Sequence, residues 1–229
     1  MPSEVTRMPS RQPKRRDAVQ TRAALLAAAA EAFARHGFKE TRVREICAKA
    51  KANLGAVSHY FGTKEALYRE VLVMAHRQLV DGERVPEISP GDDPRTALRN
   101  WVHFALRLFL LRGAAHPYAG RLFARELRDP TAALDELVAE VMLPVRRSLE
   151  RVIAALLGDF DEPGLRGQCA NFVLALCVMH EQGQEVLRRI GYPAPRTETG
   201  LIPLADAITE FALGGMGRIR DLGDRPLRS

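Results

Sequence analysis

Between Thr41 and Ala75 the chain carries three closely spaced helix starts, and this spacing limits the possible fold more than any other feature. Thr41 is a capable N-cap, and Val43, Ile46, Cys47 and Ala50 follow at i, i+3, i+4, i+7, the spacing of one helical face. Asn53 stands where it can cap a helix of about two turns through Tyr60, and Thr63 can cap another with apolar positions Leu67, Val71, Leu72 and Ala75. A longer helix precedes them, from about Asp17 to His36, with Leu25, Leu26, Ala29, Ala30 and Phe33 on one face. It should close at Gly37-Phe38, because glycine takes the left-handed conformation that ends helices. Short helices joined this tightly predict a helix-turn-helix unit.

Beyond the linker-like stretch Pro86 to Asp92 the helices lengthen. Asp93-Pro94 supplies a cap and a first-turn proline for a helix through Arg112. The segments His116 to Arg128, Thr131 to Gly158, about Pro163 to Arg189, and Gly200 to Gly214 have helical periodicity and end at proline or glycine. No alternating strand pattern competes. The expected fold is all-α: a basic arm (1–16), a helix-turn-helix head (17–64), a connecting helix (63–80), a larger helical body (81–216) and a frayed tail (217–229).

Charge is divided as the architecture is. Residues 1–75 hold 14 Lys/Arg against 7 Asp/Glu, residues 76–229 hold 20 against 21, and all five lysines lie at or before Lys64. A basic module on a near-neutral one suits a nucleic-acid-binding head on a sensing or assembly body, since phosphate neutralisation supplies most sequence-independent affinity. A basic solvated tail would explain Arg11, Lys14, Arg15 and Arg16 alone. No apolar run reaches membrane-spanning length and the N-terminus lacks the apolar core of an export signal, so a cytoplasmic location is expected. Cys47, Cys169 and Cys177 sit in apolar helical surroundings without a C-x-x-C pair and read as buried thiols; neither metal nor cofactor is expected.

The decisive stretch is Leu54-Gly55-Ala56-Val57-Ser58-His59-Tyr60. A helix lying in the major groove needs small or hydrogen-bonding residues on its outer face so that its backbone can approach base edges. Gly55 would cost roughly 1 kcal/mol relative to alanine inside an ordinary helix, which a close approach would justify. Lys64 falls in the first turn of the next helix, where an ammonium and the helix amides together favour a phosphate oxygen.

The chain resembles the DNA-binding domain of the TetR family through Thr21-Arg22, Ala30, Phe33, Gly37-Phe38, Thr41, Ile46, Ala48, Ala50, Val57, Phe61 and Lys64-Glu65-x-Leu67. The match covers about 50 residues. It implies base or groove-edge contact by Leu54, Ala56, Ser58 and His59, and phosphate contact by Thr41, Arg42, Tyr60 and Lys64, with Gly55 and Arg44 expected in the same DNA-binding surface. Two departures stand out. Lys51 occupies a turn position where the family commonly has glycine, so either a non-glycine residue bears a strained angle or the turn differs locally. Ser58 stands where tyrosine is frequent, leaving base preference open. The segment Arg121 to Thr131, with Asn53 to Val57, is similar to the CecR-like subset of the family, which implies a shared body architecture.

Trp101, Phe104, Arg107, Phe123, Glu126 and His180 are the residues best able to line an effector cavity between helices, although an aromatic at helical spacing is more often core. Arg107, Glu126 and His180 stand out among them, because a charge on an otherwise apolar face needs a partner, and either an internal ion pair or an anionic ligand would serve. Cys169, Phe172, Val173, Leu176 and His180 recur on one late helix, and Leu201, Leu204, Ile208 and Phe211 on another. These stripes suit a homodimer interface, and some of their residues must be intrachain core. The expected protein is a ligand-responsive repressor, or alternatively an activator, that binds a pseudo-palindromic operator in double-stranded DNA. An enzyme is disfavoured: G-x-S-x-G, P-loop and G-x-G-x-x-G motifs are absent, and Gln184 stands where H-E-x-x-H needs its second histidine. A binder without sequence preference is the remaining rival.

Overall fold

The computed structural model describes residues 13–161 and 163–223. Helices α1 (Pro13–Glu40), α2 (Val43–Lys49), α3 (Ala56–Phe61) and α4 (Lys64–Val80) come first in the chain. The chain divides into two compact units, 1–74 and 75–229, and α4 crosses the division. Gly37 has φ 81° and breaks α1 where the sequence calls for an end, with three more residues of helix beyond it. Residues 13–16 are the first turn of α1 rather than arm, and residues 1–12 lie outside the described residues.

The head's core is Leu25, Ala29, Phe33, Ile46, Val57, Phe61, Leu67, Tyr68 and Val71, all buried. Tyr68 meets Phe33 edge-on at 4.9 Å between ring centroids and lies 5.1 Å from Phe38, so α4 is keyed to the end of α1 by aromatic packing. Arg22 pairs with Glu70 and lies 4.9 Å over the Phe61 ring, joining α1 to α3 and α4.

In the second unit, α5 (Pro94–Leu106) begins with Asp93 accepting from the amides of Arg95 at 3.4 Å and Thr96 at 2.9 Å. It continues as a π-helical stretch (Arg107–Arg112) into α6 (Gly113–Ala115). Then come α7 (Pro117–Arg128), α8 (Ala133–Leu137), a second π-helical stretch (Val138–Met142) and α9 (Leu143–Leu157). Helices α10 (Pro163–Gln182), α11 (Gln184–Arg189) and α12 (Glu198–Gly223) complete the body. Trp101, Leu149, Ile153, Ala170, Cys177, Leu201 and Ile208 belong to one core built from α5, α9, α10 and α12.

Two expected boundaries are corrected. The segment read as one helix from Pro163 to Arg189 is broken at Gly183, where an added Cβ would lie 2.7 Å from the Met179 carbonyl oxygen. Helix α12 runs to Gly223 rather than ending at Gly214, so residues 217–223 are helix and not tail. Its continuation is held by Met216, buried in the core, and by Ile219 packed against it, which outweighs the low helix propensity of Gly214, Gly215 and Gly217. Among the described residues no helix is long and apolar enough to cross a membrane.

Candidate functional site

The turn between α2 and α3 gives the outer face its shape. Ala50 and Ala52 donate back to the Ile46 and Cys47 carbonyls at 2.9 Å each, and Lys51 takes φ 53° between them. A lysine therefore bears the left-handed angle, at an expected cost of about 1 kcal/mol. Asn53 does not cap α3 with its side chain as expected. Its carbonyl accepts from the Ala56 amide at 3.0 Å, and the helix starts after Gly55. Thr63 does cap α4, its hydroxyl accepting from the Ala66 amide at 3.1 Å. Glu65's own amide and the same hydroxyl hold the Glu65 carboxyl below the usual carboxylate range.

Burial sorts the predicted contact residues. Leu54 and Gly55, which lead into α3, and Ser58 and His59 on it are exposed, and Val57 and Phe61 are buried. Ala56 is buried with them, so its side chain is core, not a groove contact. Thr41 is 1% exposed and its hydroxyl donates to the Gly37 carbonyl at 2.7 Å, in contact also with that of Ala32 at 3.2 Å. It locks α1 to the start of α2, and its side chain is not available to a phosphate; nor does it cap α2, whose N-cap position is Arg42. Arg42 and Arg44 are exposed with no ion-pair partner among the described residues. Tyr60 is half-buried, edge-on to His59 at 4.8 Å. Lys64 donates to the Lys39 carbonyl at 3.3 Å and lies 4.6 Å over the Phe38 ring, which fixes an ammonium beside the first turn of α4.

The effector candidates do not converge on one set of contacts. Trp101 and Phe104 are buried and touch edge-on at 6.2 Å, Trp101 as part of the main core, with its indole N–H unpartnered among the described residues. Arg107 pairs with Glu83 and lies 4.0 Å from Glu198, so an internal ion pair answers its charge. Glu126 is buried and accepts from both the amide and the hydroxyl of Thr131 at 2.8 Å, tying off the end of α7. Phe123 is half-buried and faces the His76 ring at 6.4 Å, and His180 is half-buried on α10. Burial lowers the pKa of His76, aided by Arg77, and of His180, and it raises that of Glu181.

One group escaped the sequence reading. Arg112 donates to the carbonyls of Gln78 at 2.9 Å, Leu79 at 3.1 Å and Asp81 at 3.0 Å, capping the C-terminal end of α4 from the π-helical stretch. Its place at the end of a predicted helix, followed by Gly113, gave no hint of a target some thirty residues earlier.

The dimer candidates also separate. Cys169, Val173 and Ile208 are buried in the body's core, and Cys169 and Val173 also form the floor of the groove between α10 and α12. Burial pushes the Cys177 thiol up to about 12, an inert buried group. Phe172 is 61% and Phe211 72% exposed, with Leu176 and Leu204 partly so. Phe172, Leu176, Phe211, Ala212, Gly215 and Ile219 line an apolar groove between α10 and α12.

Residues 25–71 match the family model of bacterial regulatory proteins, tetR family, and residues 94–216 match the C-terminal domain of the HTH-type transcriptional dual regulator CecR. The chain belongs to the TetR family. Within it, the HTH-type transcriptional dual regulator CecR of Shigella flexneri is 31% identical over 61% of this chain and 66% of its own length. The HTH-type transcriptional regulator RutR of Escherichia coli K12 is 32% identical over 52% of this chain and 53% of its own. The chain thus spans between about half and two thirds of these curated relatives. The TetR family transcriptional regulator PfmR of Thermus thermophilus shares the fold, with a TM-score of 0.57 at 20% identity, over 81% of this chain and 93% of that one.

Proposed function

We propose that this TetR-family chain is a ligand-responsive transcriptional repressor that binds a pseudo-palindromic operator as a homodimer and releases it when a small molecule occupies the body. The observation that carries the reading is the sorted surface of α3. Leu54 and Gly55, just before α3, and Ser58 and His59 on it are exposed, while Val57 and Phe61 lock the helix into the head's core. Arg42, Arg44, Tyr60 and Lys64 supply flanking backbone contacts, and only the base-facing set carries sequence information.

The second copy covers the α10 and α12 groove. Phe172 and Phe211 are large aromatics of the kind that anchor interfaces, and Gly214, Gly215 and Gly217 leave open space where Cβ atoms would stand, so a partner helix can approach closely. Two-fold pairing would present two recognition helices to two half-sites. Effector binding within the helical body, with Trp101, Phe104, Arg107, Phe123 and His180 as the side chains to test, then shifts the population toward a state in which α4 changes the spacing of the heads. Linkage requires that operator DNA weaken effector binding by the same factor.

Selection of random duplexes by the purified protein at moderate salt tests this. Recovery of a pseudo-palindrome, bound at least about a thousandfold more tightly than random DNA, is expected. Affinity without sequence preference, collapsing as salt rises, would replace this reading with a non-specific binder. The name of the Shigella relative, a dual regulator, favours activation as a second output at some promoters. A reporter fused to the recovered operator distinguishes the two signs.

A further inference from the structure

We infer that Leu54 reads thymine in the operator, packing its side chain on the thymine C5 methyl in the major groove. This rests on the operator-binding reading above and adds to it the chemistry that one residue recognises.

Exposure of a single leucine is common and says little by itself. Here the placement is constrained from several sides. Leu54 is 68% exposed, although the large apolar side chains around it, Ile46, Val57 and Phe61, are buried. Its carbonyl faces the Cys47 thiol of α2 at 3.9 Å, the chain before it reverses at Lys51 with φ 53°, and the Ala56 amide bonds across it to the Asn53 carbonyl. The backbone at Leu54 is therefore pinned to the head's core with its side chain left outside. It immediately precedes α3, and the N-terminal residues of a recognition helix are those that reach base edges. Exposed Gly55 beside it allows a close backbone approach, and Ser58 and His59 on the same side supply hydrogen bonds.

Leucine has no donor or acceptor, so it cannot distinguish bases by hydrogen bonding. Of the four bases, thymine alone carries a methyl group on its major-groove edge. Against guanine N7 and O6, or adenine N7, the same side chain would desolvate acceptors without replacing their water. Apolar contact with thymine is the discrimination this residue can make.

The test uses the full chain and the duplex recovered by selection, with thymines replaced one at a time by deoxyuridine, which keeps every hydrogen-bonding group and loses the methyl. At one thymine per half-site the replacement should weaken binding about fourfold, the worth of one buried methyl group, and about fifteenfold when made in both half-sites. Leu54→Ala should bind the thymine operator more weakly and be indifferent to the replacement, with its salt dependence unchanged. Leu54→Met should keep the sensitivity. A selected operator that lacks a fixed thymine, a wild-type protein indifferent to every deoxyuridine, or a Leu54→Ala protein as sensitive as wild type would each overturn the inference and leave operator binding standing. Selection of no sequence at all would overturn both.

Discussion

The head and the body use the same helical periodicity to build a core, but they leave opposite chemistry uncovered. Around α2 and α3 the exposed residues include Arg42, Arg44, Lys49, Lys51, Ser58 and His59, with Leu54 the lone large apolar side chain. Along α10 and α12 the exposed residues include Phe172, Met179, Ile202 and Phe211. A cationic, hydrogen-bonding surface loses little by staying in water until a polyanion displaces its counterions. Exposed aromatics lie over a groove that a protein surface can fill. Partner type is therefore read from what burial leaves out, since the buried sides of both units are apolar.

Phe33→Ala removes a fully buried ring from the head and should destabilise that unit by about 3–5 kcal/mol. Thermal unfolding should then split, with the body transition unmoved; a single lowered transition would show that the units share one cooperative fold. Phe211→Glu places a charge at the body's exposed face, in both copies of the proposed dimer. On the order of 2 kcal/mol per copy should be lost from association, visible as a monomer in sedimentation at micromolar concentration. An unchanged dimer would move the interface elsewhere.

Arg112→Ala uncaps α4 and leaves three carbonyls to water, an expected loss of about 1–3 kcal/mol. Faster amide exchange confined to the α4 C-terminal turn and residues 81–83 is the expected signature, and unchanged exchange there would show that the guanidinium holds nothing. Lys51→Gly should stabilise the head by up to about 1 kcal/mol by relieving its left-handed angle, net of glycine's greater freedom in the unfolded chain. The same change should weaken DNA binding through the lost cation, so stability and affinity move in opposite directions. A drop in melting temperature would contradict the strain assignment.

The smallest effect concerns pH. His76 has a folded pKa below its usual value of about 6.5 because burial penalises the imidazolium. The unfolded chain then binds the proton first, so stability is retained above about 6.5 and falls as pH drops through the lowered folded value. His180 acts in the same direction. Glu181, raised by burial, has the opposite slope at lower pH, because its folded form holds the proton longer. His76→Gln should flatten part of the decline below about pH 6.5 in urea melts; an unaltered profile would remove His76 from the account.

The apolar positions Leu25, Phe33, Ile46, Leu67 and Val71 were legible as core because a helix repeats its inward side every three to four residues. Asp93 and Thr63 were legible as caps because side-chain capping is decided within three residues. Thr41 satisfied the same local rule, yet its hydroxyl bonds backward, four residues to the Gly37 carbonyl and nine to that of Ala32 at the broken end of α1, rather than forward to α2. Ala56 is small enough for either a groove or a core, and its neighbours chose the core.

In the body, periodicity placed Phe172 and Val173 on the same stripe, yet one is exposed and the other buried. The same holds for Ile208 and Phe211. By itself, then, the sequence determined where helices start, which residues seek an apolar side and which unit is basic, because those depend on short-range hydrogen bonding, hydrophobic spacing and summed charge. Tertiary structure alone decided which edge of each stripe faces its own core, where Arg112 and Arg107 find their partners, and that α12 persists past three glycines. Each of these depends on contacts between residues distant in sequence, which no local pattern encodes.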